Sequence, residues 1–129
     1  MPTFRFAKLV RDNIVDQQLA SGMKPLFYKL ESAEHKDALI DKLVEETVEL
    51  KHATADKFVA ELADLQQALD DLRILYGISK EQVAQAQAQR NRQVGSFSKG
   101  IYVESVDAAE DSQWVEYFRK NPDHYPEIN

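Results

Sequence analysis

The chain has no cysteine. That absence excludes a disulfide framework and a thiolate zinc site, and it agrees with a reducing compartment. Cations are outnumbered as well: Lys and Arg total 16 against 22 Asp and Glu, a net charge of −6. With no basic stripe to displace counterions, the composition argues against broad binding to a nucleic-acid backbone. A few local cations or a metal could still hold a small anion. No apolar run approaches a membrane span, and the opening MPTFRFAKLVRD has no apolar core of signal-peptide length. Internal repeats and low-complexity linkers are also missing. The expectation is a soluble cytoplasmic protein with neither membrane nor nucleic acid as a partner.

What is present suits one globular domain. The 129 residues are 43% hydrophobic and 29% charged, enough for a core and too apolar for disorder. We expect a single domain over 1–129, with a core of about 8–106 and an aromatic tail over 107–129. Residues 8–22 read as a short first helix stopped by Gly22. The stretch around Pro25, near 25–31, reads as extended. Ser32 reads as an N-cap, with Glu34 in the first turn of a helix running to Ala53. Leu39, Leu43, Glu46 and Leu50 share one stripe of it. After the weak break ATAD, with Thr54 or Asp56 as cap, Phe58, Leu62, Leu65, Leu69 and Leu72 form a second stripe, closed by Gly77. Ser79 and Gln82 match a capping box for a third long helix. Residues near 100–106 alternate as a short strand would. A short helix should carry Trp114, Tyr117 and Phe118. The fold class is therefore all-α, a helical bundle built on a long antiparallel hairpin.

The hairpin carries the chemistry. In an antiparallel pair, residues at one level have sequence numbers of constant sum, about 110 for a turn centred near Ala55. Glu46 then lies level with Asp64, and Glu49 with Glu61. Within each helix the two acids are three apart and project from one face. Four carboxylates can converge on one small volume. Two unit charges about 6 Å apart at an effective dielectric near 20 repel by roughly 3 kcal/mol. Three outcomes remain open: protonation of some acids, a bound cation, or a solvated face with the helices rotated apart. All-oxygen sets suit hard cations such as Mg²⁺ or Mn²⁺.

Glu46-x-x-Glu49 followed by Glu61-x-x-Asp64 resembles the metal-binding signature of the MazG-like all-α nucleotide pyrophosphohydrolases. KLVRDNI (8–14) resembles the opening of that superfamily's phosphoribosyl-ATP pyrophosphohydrolase-like branch. LIDKLVEETVEL and ELADLQQAL are similar to its central helices, and RNRQVGSFSKGIYV (90–103) to its closing segment. Asn13 stands where lysine is frequent, and Ser96 where a second glycine is frequent. The resemblance implies a Mg²⁺-dependent nucleoside triphosphate pyrophosphohydrolase, releasing a nucleoside monophosphate and pyrophosphate for nucleotide-pool house-cleaning. It implies Glu46, Glu49, Glu61 and Asp64 as metal ligands, with Mn²⁺ able to substitute, and Glu45 as the group that orients or deprotonates water. Lys8, Arg11, Arg90, Arg92 and Lys99 become phosphate partners, with Asp12 orienting Arg11.

Alternatives from other classes are phosphoribosyl-ATP hydrolysis in histidine synthesis, a non-catalytic helical interaction protein, and a di-iron bundle. Glu49-x-x-His52 has the spacing used in the last, but it occurs once in the hairpin. His35, His52 and His124 read as surface residues. The third long helix is poor in large apolar side chains, so the two stripes need a partner to cover them. A homodimer or homotetramer is expected.

Overall fold

The computed structural model describes residues 1–129 and is all-α, with five α-helices and no strand. They are α1 (Ile14–Ala20), α2 (Ser32–His52), α3 (Phe58–Leu75), α4 (Lys80–Val94) and α5 (Gln113–Lys120). A single 3₁₀ turn, Ala55–Lys57, lies between α2 and α3. The chain divides into two compact units, Met1–Arg90 and Asn91–Asn129. That division falls inside α4, whereas the sequence reading separates core from tail at 106.

In the first unit, α2 and α3 pack as the expected antiparallel hairpin. Leu39 and Ala68, the two buried apolar residues, sit in its seam, and Glu46 is buried with them at 8% exposure. Leu43 and Leu50 are half-buried, so the α2 stripe is the seam-facing one. The α3 stripe divides. Leu65 and Leu72 are half-buried, but Phe58, Leu62 and Leu69 face outward, because the acids Glu61 and Asp64 take the inward positions with Ala68. At the open end the Lys36 ammonium lies 4.5 Å from the Tyr76 ring centroid, a cation–π contact across the two helices.

Helix ends follow the local chemistry. Past α3 the amide of Ile78 donates to Arg73 O and that of Gly77 to Ile74 O, at 3.1 and 3.0 Å. This closing pattern puts Gly77 at φ +68°, where a side chain is strained. Gly22 closes α1 in the same way, with Met23 N donating to Gln18 O. The Ser79–Gln82 capping box forms: Ser79 N donates to Gln82 Oε1 at 2.7 Å, and Gln82 N to Ser79 Oγ at 3.1 Å.

Four local expectations are corrected. The first helix begins at Ile14, not near Lys8, because residues 8–11 lie along the hairpin with their cations on its acids. Ser32 is the first residue of α2, and Glu31 holds the cap position without a side-chain bond. Thr54 caps the 3₁₀ turn by backbone position alone, its hydroxyl donating instead to Asp56. The strand expected near 100–106 does not form, since no second strand exists to pair with it.

The second unit contains the end of α4 and α5. Ser112 Oγ accepts from Trp114 N and caps α5. Trp114, Tyr117, Phe118 and Tyr125 form one aromatic cluster, the Phe118 and Tyr125 centroids being 4.8 Å apart. Arg119 ties both flanks of the helix down, donating to Glu110 at 2.6 Å and to Glu127 at 2.8 Å.

Candidate metal centre

α2 and α3 bring Glu46, Glu61 and Asp64 together, with one carboxylate oxygen of each lying within 4.8 Å of the others. The levels derived from the turn explain why. Glu46 faces Asp64, and Glu61 lies one turn of α3 away on the same side. Asp64 and Glu46 also line a cleft of about 220 Å³ with Arg11, Lys42, His35 and Asp71.

Glu49 stays outside this set and is exposed. A step of three residues falls about 60° short of a full helical turn; on α3 it still keeps Glu61 and Asp64 together, but on α2 it leaves Glu49 off the seam that Glu46 occupies. Leu50, at a step of four, is half-buried instead.

The electrostatics of the two neighbouring glutamates are opposed. Burial raises the Glu46 carboxyl above its ordinary range. Lys42 works against that rise, while Asp64, Glu45 and Glu61 add to it by like-charge repulsion. Lys42 Nζ stands 3.6 Å from Glu46 Oε1. Burial also pushes Glu45 upward, but hydrogen bonds and charge from Lys8 and Lys42 overcome it and hold that carboxyl below its usual range. Both lysines are 3.3 Å away, one on each Glu45 oxygen.

Of the expected phosphate partners, Lys8 is thus on Glu45, and Arg11 donates to Asp64 Oδ1 at 2.5 Å. Asp12 lines the cleft beside Arg11. Arg90 and Arg92 lie on α4 and Lys99 follows it, all three exposed. His52 and His124 are exposed as expected, but His35 is half-buried in the cleft wall. Lys42 is the residue that sequence reasoning missed. Its signal was present in the spacing, since it precedes Glu45 by three and Glu46 by four.

The donor set fits a hard divalent ion. It consists of carboxylate oxygens only, drawn from two rigid helices, and its buried member carries charge that burial and neighbours disfavour. Comparison of the chain with protein-family models, with curated proteins and with solved structures finds no match.

Proposed function

We propose that the chain is a Mg²⁺- or Mn²⁺-dependent nucleotide pyrophosphohydrolase of the MazG-like, phosphoribosyl-ATP pyrophosphohydrolase-like kind. The observation that carries this reading is the convergence of Glu46, Glu61 and Asp64. Those residues would hold the ion, with Glu49 approaching only if its side chain turns back toward the seam. Bound there, the ion would offset charge on the triphosphate and on its leaving group.

The chain's own groups would do the rest. Arg11, Lys42 and Lys8 are cations at or beside the cleft, suited to phosphate oxygens. Glu45 stays an anion because two lysines hold it so. That favours orienting a water over deprotonating it, since a base weakened in this way takes a proton poorly. Water adds to the α-phosphorus and pyrophosphate leaves with the bridging oxygen, giving a nucleoside monophosphate. Nucleotide-pool house-cleaning in the cytoplasm is the matching role.

A homo-oligomer belongs to the same reading. Ile40, Val44 and Val48 form an exposed stripe on α2, and Phe58, Leu62 and Leu69 another on α3. A homo-oligomer interface would cover these stripes.

The direct test is release of pyrophosphate from a panel of nucleoside triphosphates, modified ones included, with and without Mg²⁺. Metal-dependent release is expected. No release from any nucleotide would remove the enzyme reading and leave a helical interaction protein.

A further inference from the structure

The segment ahead of α1 holds a contact with the acids. It is entered at Ala7, whose φ of 48° lies in the left-handed region that residues with a Cβ rarely adopt. From there Lys8 reaches Glu45 on α2, and Arg11 reaches Asp64 on α3. Leu9 and Val10, between them, line the cleft with Leu39. Residues 8–11 therefore place one cation on each helix of the hairpin.

Arg11 donates a full hydrogen bond to the same carboxylate that completes the three-acid set. A divalent ion drawn to Asp64 meets a guanidinium already there, and two cations sharing one carboxylate repel each other. The Arg11 side chain is 58% exposed, so its pair opens into water at small cost. Once free, its planar fork matches a phosphate.

Resting on the function proposed above, we infer that residues 8–11 form a cation strap. Arg11 and the divalent ion compete for Asp64, and entry of the ion releases Arg11 toward the anionic phosphates of the substrate. The strap keeps the acids' charge balanced until metal arrives and then delivers a cation to the nucleotide.

The test uses the full chain and Mn²⁺ alone as probe. Free Mn²⁺ is followed by electron paramagnetic resonance in the wild type, Arg11→Gln and Arg11→Lys. In parallel, trypsin cleavage after Arg11 is timed against cleavage after Lys29. Arg11→Gln should tighten Mn²⁺ binding by about fivefold, the size of a half-exposed ion pair. Arg11→Lys, which keeps the charge, should stay near wild type. Mn²⁺ should speed cleavage after Arg11 in the wild type and leave Lys29 unchanged. Unchanged or weaker Mn²⁺ binding in Arg11→Gln, or no gain in cleavage with Mn²⁺, overturns the strap while the metal site stands. Failure of all three chains to bind Mn²⁺ overturns both.

Discussion

Two charged clusters in this chain are built on opposite terms. Around Arg119, one cation meets two glutamates in the open, and both carboxyls sit below their usual range because hydrogen bonds from Arg119 favour the charged form. Around Glu46, acids crowd a helix seam, one of them is buried, and burial first and repulsion second push it the other way. The Arg119 cluster has the charge pattern of a local tie. The Glu46 cluster has that of a site, where the fold tolerates a cost that a ligand can offset. The same residue types thus give opposite outcomes, decided by burial and by the ratio of acids to cations.

The largest expected effect comes from removing a member of the crowded cluster. Asp64→Asn should lower metal-dependent pyrophosphate release by at least about 100-fold, roughly 2.7 kcal/mol in transition-state terms. Glu49→Gln should cost far less, because Glu49 lies off the seam. Steady-state kinetics of the two variants decide it. Equal losses would put Glu49 back among the ligands, and near wild-type turnover in both would remove the metal assignment.

Next in size are Arg92 and Lys99, the cations that the resemblance assigns to the triphosphate. Alanine at either should weaken triphosphate use about tenfold, near 1.4 kcal/mol, without changing Mn²⁺ affinity. Kinetics paired with calorimetry separate the two quantities. Unchanged kinetics would make both side chains plain surface charges.

Assembly can be read by light scattering at micromolar concentration, where a dimer or tetramer is expected. A monomer would leave Ile40, Val44 and Val48 exposed in solution, with no partner to cover them.

The smallest effects sharpen the contrast between the clusters through pH. Glu46 has a folded pKa above its ordinary 4.5, so the folded chain holds that proton at a pH where the unfolded chain has lost it. Stability then falls as pH rises through that window. Glu46→Gln should therefore raise the melting midpoint at pH 7, without added metal, by about 3 °C. The gain should fade in acid. Glu110 and Glu127 run the other way: their contribution is present above the ordinary carboxylate value and is lost as pH falls through their lowered ones. Because they and Arg119 are exposed, Arg119→Gln should leave the midpoint nearly unchanged. It should register only in the near-ultraviolet circular dichroism of Trp114 and its neighbours. A destabilised Glu46→Gln would mean that Lys42 outweighs burial.

Much of the hairpin was legible in the sequence. Two apolar stripes, two glycine stops and a short break set the helices and their level, and the level brought Glu46 opposite Asp64. Glu49 was misplaced because level alone ignores rotation. Three residues and four residues both return to about the same face, and only the packed seam chooses between Glu49 and Leu50. The spacing of residues 8–13 permits a helix. Their actual course is set by ion pairs with partners 37 and 53 residues away, which local pattern does not contain. The strand near 100–106 failed for a similar reason, since alternation supplies a face but not a neighbour.

Anomalous diffraction from crystals grown with Mn²⁺ tests the central claim most directly. The account predicts a peak between α2 and α3, within about 2.2 Å of oxygens from Glu46, Glu61 and Asp64, a hard-ion distance. A peak at Glu49 and His52 instead, or none anywhere in the hairpin, would contradict it.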